Sequence, residues 1–180
     1  MASHTHQKHL DLKLYLVTDS TPAILGTRDV VWVVEEAIKG GVTIVQYRDK
    51  HADTGAMVET AARLHAVTKR YNVPLLINDR IDVALIVGAE GVHIGQDDMS
   101  MKHARSMLGP DAIIGVTASS REEAQQAIDD GADYLGLGTM FATPTKPDTK
   151  SIIGTSALKI FSEDARRARR RLYRVWLSAA

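Results

Sequence analysis

The chain has 180 residues, enough for one well-buried domain, and its 22 basic and 22 acidic side chains leave a net charge of zero. That balance gives no general attraction to nucleic acid or to a membrane surface, although it allows a local basic pocket. The absence of cysteine excludes disulfides, thiolate zinc sites and a cysteine nucleophile. No stretch approaches the roughly 18 consecutive apolar residues of a membrane span, so we expect a cytoplasmic protein with no nucleic-acid or membrane partner.

The first eleven residues are polar and lack the apolar core of a secretory signal. Three histidines, His4, His6 and His9, cluster there. Such a cluster can bind a metal, but polar chain ends are more often poorly ordered. We therefore predict a disordered leader over residues 1–11.

Apolar, strand-like runs alternate with helical patterns along the rest of the chain. Strands are predicted at residues 12–19, 42–48, 73–79, 91–95, 112–118 and 133–138. Helices are predicted at Val30–Lys39, Thr54–Tyr71, Ile81–Val87, Met101–Leu108 and Glu122–Asp130, with Asp53 or Thr54 as the cap of the second. This alternation is typical of a parallel sheet with buried strands.

A weak internal repeat refines the fold class. The segments "AIKGGVTIVQYR", "LIVGAEGVHIG" and "AIDDGADYLGLG" share one plan, in which a helix end is followed by glycine, a short turn and a strand. A doubly wound dinucleotide-binding fold typically has the motif GxGxxG after its first strand. The corresponding segment here, "LVTDSTPA", contains no glycine and so does not favour that fold. We predict an α/β fold of the TIM (β/α)8-barrel type with six recognisable strands, in which chemistry gathers at the carboxyl ends of the strands.

The second strand ends on three polar residues at every second position, Gln46, Arg48 and Lys50. A period of two places all three on one side of an extended segment. Three donors, two of them cationic, suit a polyanion such as a diphosphate. A solvated strand end is the alternative interpretation.

The third and fourth strands end on acidic residues. The third ends in Asn78-Asp79 and the fourth in "GQDD", which contains Asp97 and Asp98. Carboxylates at neighbouring strand ends, beside cations, are what Mg²⁺ with a diphosphate requires, because magnesium completes its octahedron with water and phosphate oxygens. Helix capping by Asp79 and Asp98 is the alternative.

The fifth strand ends at Thr117, whose hydroxyl can hydrogen-bond a phosphate. Ser120 and Glu123 have the spacing of a capping box, so Ser120 is predicted to be structural. His93 lies between apolar neighbours inside the fourth strand and is predicted to be a packed, hydrogen-bonded residue and not a base.

The loop "FATPTKPDTK" follows the sixth strand and contains Thr143, Thr145 and Lys146. Its two prolines exclude a helix interior or a central strand. The loop is either a polar surface turn or an anion-binding loop, and its place after the sixth strand favours anion binding.

These motifs, in this order, resemble the thiamine-phosphate synthase family of TIM barrels. The matching segments run from about Leu14 to Gly154 and are "LYLVTD", "GVTIVQYRDK", "LLINDRIDVAL", "GVHIGQDDM", "IIGVTASS", "GADYLGLGTMFATPTK" and "IIG". Each segment is weak alone, whereas the ordered set is specific. The loop region is similar to that of the fungal branch.

The resemblance implies a transferase of thiamine biosynthesis. The expected reaction joins hydroxymethylpyrimidine diphosphate to a thiazole phosphate, forming thiamine phosphate and releasing diphosphate. Mg²⁺ is the implied cofactor. The implied partners are the two small-molecule substrates, with a homo-oligomer, or fusion to a hydroxyethylthiazole kinase domain in relatives, as further expectations.

The resemblance also assigns roles to the residues singled out above. Lys146 and Arg48 are the implied catalytic residues, and Asp79 and Asp98 the implied magnesium ligands. Contacts to the substrates are implied for Gln46, Arg48, Lys50, Asn78, Thr117, Thr143, Thr145 and Lys146, with the two loop threonines on the thiazole phosphate.

The resemblance sets the domain limits as residues 12–161 for the barrel and 162–180 for a basic tail with six arginines. Two further barrel strands are not recognisable in that tail. We expect a truncated or mis-spliced product, with a fragment completed by another chain, or a tail that binds acidic surfaces, as alternatives. The corresponding alternatives for function are an inactive fragment and a diphosphate-binding module without turnover.

Overall fold

The structure, a computed structural model, describes residues 10–138, and its elements alternate between strands and helices. The strands are β1 Tyr15–Val17, β2 Ile44–Tyr47, β3 Leu75–Asn78, β4 Gly91–Ile94, β5 Ile113–Ala118 and β6 Tyr134–Leu137. The helices are α1 Pro22–Leu25, α2 Val30–Lys39, α3 Thr54–Arg70, α4 Ile81–Val87, α5 Met101–Leu108 and α6 Arg121–Asp129.

Local sequence signals account for most of these bounds. All six strands and all five helices predicted from the sequence are confirmed, with ends that differ by at most three residues. Asp53 caps α3, because its Oδ1 accepts a hydrogen bond from the Ala56 N–H at 2.8 Å. Ser120 caps α6 in the same way, with Glu123 N–H as the donor. The four-residue helix α1 was not predicted, and none of its residues is buried.

The strands form one sheet in the order β1-β2-β3-β4-β5-β6, and every neighbouring pair is parallel. Within residues 10–138, β1 and β6 are the outermost strands. Their side chains nevertheless meet, since the hydroxyls of Tyr15 and Tyr134 lie 2.7 Å apart. The sheet is therefore strongly curved, and the α/β prediction is confirmed as a half-barrel of six parallel strands.

The two faces of the sheet bury different clusters. The outer face packs on the helices, with Val45 and Tyr47 of β2 in that cluster. The concave face carries a smaller cluster near the strand starts, formed by Leu10, Leu12, Ile44, Leu76, Ile113 and Tyr134. Polar side chains continue this face toward the carboxyl ends of the strands. Because both faces are buried, the strands read as nearly continuous apolar runs.

None of the helices within residues 10–138 is long and apolar enough to cross a bilayer. The predicted leader, residues 1–11, falls almost entirely outside the described residues. The predicted basic tail, 162–180, and any seventh or eighth strand also fall outside them.

Candidate active site

Asp79 lies immediately after β3, at the carboxyl edge of the sheet, with its backbone in the left-handed region at φ 63°. Its Oδ2 accepts a hydrogen bond from Asn78 Nδ2 at 2.7 Å and forms an ion pair with Lys50 Nζ. Left-handed backbone at a residue other than glycine costs free energy and is found disproportionately at functional sites. The surrounding contacts hold the Asp79 carboxylate in one place.

Asp98 brings a second carboxyl group to this point from the loop after β4. Its Oδ2 accepts a hydrogen bond from the Gly95 N–H at 2.7 Å. Loss of solvation, together with a hydrogen bond to the Asp79 carboxyl, raises the pKa of Asp98 above its ordinary value, against the opposing effect of the Gly95 N–H. Two carboxyl groups in contact favour a shared proton or a bound cation.

This donor set fits magnesium. Mg²⁺ is bound through one or two protein carboxylates and keeps water or phosphate oxygens at its remaining positions. Asp79 and Asp98 supply two carboxylates on adjacent strand ends. Within residues 10–138, three or more histidine or acidic side chains do not converge at any point, so a site built wholly from protein ligands is not formed there.

The capping interpretation of the two aspartates is wrong. Arg80 stands at the N-cap of α4 and makes no side-chain capping bond. Ser100 caps α5 by accepting a hydrogen bond from the His103 N–H. Asp79 and Asp98 thus have no role at the helix starts, and their contacts are with each other, Lys50 and the strand ends.

Solvent exposure increases along the end of β2, from Gln46 through Arg48 to Lys50. Gln46 is buried, and its Nε2 donates to Asn78 Oδ1 at 2.7 Å. Lys50 is exposed and reaches Asp79. Arg48 is half-buried, its backbone N–H is held by Thr18 Oγ1 at 2.9 Å, and its guanidinium makes no ion pair with any described carboxylate. As far as residues 10–138 show, no ion pair with a carboxylate occupies this guanidinium at the carboxyl edge of the sheet.

Thr117 lies on the same edge, near the end of β5. Its Oγ1 is 2.8 Å from His93 Nε2, and its backbone carbonyl accepts a hydrogen bond from Gln96 Nε2 at 2.6 Å. His93 is buried in β4, and its other ring nitrogen lies 2.8 Å from the Tyr134 hydroxyl. The sequence prediction that His93 is a packed, hydrogen-bonded residue is confirmed.

Comparison with known proteins connects this geometry to a family. Residues 14–168 match the family model described as "Thiamine monophosphate synthase". The chain belongs to the thiamine monophosphate synthase family. This match confirms the predicted family. It spans all six strands that the structure describes, because β1 begins at residue 15 and β6 ends at residue 137.

Several members of this family are about half identical to the chain. A thiamine-phosphate synthase from Chloroflexus aurantiacus is 51% identical over 150 residues, which are 83% of this chain and 68% of that protein. One from Clostridium acetobutylicum is 52% identical over 145 residues, or 81% and 68%. The Schizosaccharomyces pombe "Probable thiamine biosynthetic bifunctional enzyme" is 51% identical over 153 residues, or 85% of this chain and 29% of that protein.

A solved structure of the family supports the same fold. The thiamine phosphate pyrophosphorylase from Pyrococcus furiosus superposes with a TM-score of 0.78 at 37% identity, covering 91% of this chain and 74% of that one. A 3-dehydroquinate dehydratase from Geobacillus kaustophilus superposes with a TM-score of 0.64 at 15% identity, which reflects the shared fold alone. The predicted transferase of thiamine biosynthesis agrees with the names of the closely similar family members.

The structure brings together seven of the ten residues that the family resemblance singled out. Gln46, Arg48, Lys50, Asn78, Asp79, Asp98 and Thr117 all lie at the carboxyl edge of the half-barrel. Thr143, Thr145 and Lys146 lie outside the described residues, so their roles stay predictions.

Sequence reasoning missed two tyrosines that support this edge. Tyr15 donates to Gln46 Oε1 at 2.9 Å, and its hydroxyl also meets that of Tyr134. The two tyrosines are 119 residues apart in the chain, and only the curvature of the sheet joins them. Their shared signal in the sequence is modest: each is the first residue of a strand that otherwise carries aliphatic side chains or glycine.

Proposed function

We propose that the chain catalyses the joining of hydroxymethylpyrimidine diphosphate and a thiazole phosphate to give thiamine phosphate and diphosphate, in the cytoplasm. In this reaction the bond between the pyrimidine methylene carbon and the diphosphate oxygen breaks, and the oxygen keeps the electron pair. The thiazole nitrogen supplies the pair that forms the new carbon–nitrogen bond. No protein nucleophile is required, so positioning and charge stabilisation supply the catalysis.

One observation carries the proposal. Lys50 and Arg48 from the end of β2 lie on the same edge as the adjoining carboxyl groups of Asp79 and Asp98. The leaving diphosphate gains negative charge as its bond breaks, and cationic donors fixed beside it stabilise that charge. A set of cations beside paired carboxylates suits a metal-bound diphosphate better than a free carboxylate or a neutral ligand.

Asp79 and Asp98 would hold the Mg²⁺ ion of the proposed site. Bound there, the ion would neutralise charge on the diphosphate oxygens and so make diphosphate a better leaving group. Lys50 pairs with Asp79 and thereby limits the repulsion between the two carboxylates before the metal arrives. Arg48 and Lys50 would then donate to diphosphate oxygens, and Gln46 and Asn78 would contact the pyrimidine substrate.

The loop after β6 would complete the site. We propose that Lys146 donates to the diphosphate and that Thr143 and Thr145 contact the thiazole phosphate. These three assignments are supported by the family membership alone. Thr117 is the remaining proposed substrate contact, at the end of β5.

The deciding experiment measures product from the full 180-residue chain with both substrates and Mg²⁺. We expect thiamine phosphate and diphosphate in equal amounts, and neither product when one heterocycle or the metal is omitted. The outcome against the proposal is no thiamine phosphate at any enzyme concentration. Calorimetry with the pyrimidine diphosphate then separates the two remaining possibilities, since binding without turnover indicates a binding module and no binding indicates an inactive chain.

A matched pair of lysine variants makes that assay specific. Lys50→Met removes the cation paired with Asp79, whereas Lys39→Met removes an exposed lysine paired with Glu36 on α2, away from the strand ends. Product formation should fall in the first variant and stay unchanged in the second. Equal activity of the two would show that the cation at the end of β2 does not take part.

A further inference from the structure

A continuous chain of hydrogen bonds crosses the concave face of the half-barrel and takes one side chain from each of the six strands. In order, it joins Thr117, His93, Tyr134, Tyr15, Gln46 and Asn78, and it ends on the Asp79 carboxylate. The successive distances are 2.8, 2.8, 2.7, 2.9, 2.7 and 2.7 Å. We refer to these seven residues as the relay.

The acceptor at the end of the relay sets the orientation of both amides. Asp79 Oδ2 already accepts from Lys50, so it offers Asn78 only lone pairs. Asn78 must therefore present its Nδ2 to Asp79 and its Oδ1 to Gln46. Gln46 must in turn donate through Nε2 and present Oε1 to Tyr15.

The same rule continues through the tyrosines. The Tyr15 hydroxyl has one proton, and Gln46 Oε1 needs it. The 2.7 Å contact between the two hydroxyls then requires the proton of Tyr134. Because Tyr134 donates its only hydroxyl proton to Tyr15, it can offer His93 Nδ1 only lone pairs. That nitrogen must therefore carry a hydrogen.

We propose that Tyr15, Tyr134 and His93 are positioning residues of the active site, which lock the Gln46 and Asn78 amides through a one-way hydrogen-bond relay. In this relay neutral His93 is the Nδ1–H tautomer, and its Nε2 accepts from the Thr117 hydroxyl. The relay exists whatever the ligand, whereas its value for catalysis rests on the function proposed above. Within the described part of the chain, each of the two amide nitrogens makes one hydrogen bond, so its second N–H can meet an acceptor atom such as a ring nitrogen of the pyrimidine.

The relay also changes what Thr117 can offer. Its proton is directed at His93 Nε2, so its hydroxyl meets a ligand through its lone pairs. A phosphate oxygen cannot accept from it unless His93 turns or changes tautomer. Thr117 is therefore better suited to a donor group of a substrate, such as an amino group, than to a phosphate.

The tautomer of His93 tests the relay directly. Long-range ¹H–¹⁵N spectra of the full chain distinguish the two ring nitrogens, and a His93→Gln sample assigns the signals. At about pH 8, above the ordinary pKa of histidine, we expect the proton on Nδ1. A proton on Nε2 in the unaltered protein would overturn the proposal, and this measurement needs neither substrates nor metal.

Asp79→Asn provides the sharpest variant, because its amide can donate where the carboxylate could only accept. With Lys50 on its oxygen, the new amide donates to Asn78, and every group of the relay can reverse. The His93 proton should then move wholly or partly to Nε2. Asparagine tolerates the left-handed backbone of this position, so the variant is expected to fold.

Two further variants complete the test. Asp98→Asn changes the neighbouring carboxylate but leaves the acceptor of the relay intact, so His93 should keep its proton on Nδ1. Tyr15→Phe cuts the relay, releases the Tyr134 proton toward His93 and should also move the histidine proton to Nε2. An unchanged tautomer in both Asp79→Asn and Tyr15→Phe would overturn the relay, even if the enzyme makes thiamine phosphate.

Discussion

Gly115 of β5 and Tyr134 of β6 are register partners, and a Cβ atom on Gly115 would lie 1.9 Å from Tyr134 Cζ. His93 is the register partner of Gly115 on the other side, in β4. The absent side chain at Gly115 lets the Tyr134 ring lie across β5, so that its hydroxyl reaches His93 Nδ1 at 2.8 Å. A glycine in the middle of a strand here serves close approach between the strands on either side.

Gly115→Ala should destabilise the fold by displacing the buried Tyr134 ring. Overpacking of this kind costs about 1–3 kcal/mol in the free energy of unfolding, measured by urea denaturation. Gly55→Ala is the control, since a Cβ there meets only Asp53 Oδ1 at an ordinary 3.5 Å, in the first turn of α3. Tyr134→Val removes the ring, and in that background Gly115→Ala should lower the free energy of unfolding by less than about 0.5 kcal/mol. An equal loss with and without the Tyr134 ring would show that contact with the ring is not the cause.

Replacing Asp79 by alanine and by glycine separates its backbone strain from its contacts. Both variants lose the bonds to Lys50 and Asn78. Only the alanine variant keeps a Cβ atom, so only it retains the steric cost of the left-handed backbone at φ 63°. The glycine variant should therefore be more stable than the alanine variant by about 1–2 kcal/mol. Thermal or urea unfolding measures the difference.

The same pair of substitutions at Asp82 is the control for Asp79. Asp82 lies in the first turn of α4, where alanine is favoured over glycine by about 0.5–1 kcal/mol. The order of stabilities should thus reverse between the two positions. Alanine more stable than glycine at Asp79 would show that the left-handed backbone is relaxed when the side chain is removed.

Sequence reasoning succeeded where the signals are local. The bounds of α2, α4 and α5 were predicted to the residue, because apolar spacing and capping depend on neighbours in the chain. The edge that carries Gln46, Asn78, Asp79 and Asp98 was predicted for a similar reason, since parallel strands place their carboxyl ends together.

The relay could not be predicted in that way. The contact between Tyr15 and Tyr134 depends on how strongly the sheet curves. The contact between Tyr134 and His93, two strands apart, depends on the glycine at position 115 in the strand between them. Both contacts join residues far apart in the chain, so no local sequence pattern indicates them. The pairing of Lys50 with Asp79, across 29 residues, belongs to the same class of contact.

Asp98→Asn should change stability in a manner that depends on pH. The folded protein raises the pKa of Asp98 above its ordinary value of about 3.9, so the folded state binds this proton more tightly than the unfolded state does. As pH rises from the pKa of Asp98 in the unfolded chain through its higher pKa in the folded protein, ionised Asp98 increasingly destabilises the fold. The asparagine variant avoids this penalty.

Melting temperatures across that pH range measure the effect. Asp98 loses part of its solvation but remains accessible to water, which screens its charge. We therefore expect a gain for Asp98→Asn of less than about 1 kcal/mol, or at most about 2–4 °C, near neutral pH. The gain should vanish below about pH 4, where the carboxyl is protonated in both states. A gain that is constant with pH, or a loss near neutral pH, would show that the fold does not raise the pKa of Asp98.

Lys50→Met should shift the binding of metal and of diphosphate in opposite directions. The variant loses a donor for diphosphate oxygens, so the Kd for inorganic diphosphate with Mg²⁺ should rise roughly tenfold, or about 1.4 kcal/mol. It also removes a cation from the Asp79 carboxylate, so Mg²⁺ alone should bind more tightly. Titration calorimetry of the full chain measures both constants, with Lys39→Met as the variant in which neither changes. If both ligands bound more weakly to Lys50→Met, the lysine would be acting as a structural support for Asp79 and not as a contact for the anion.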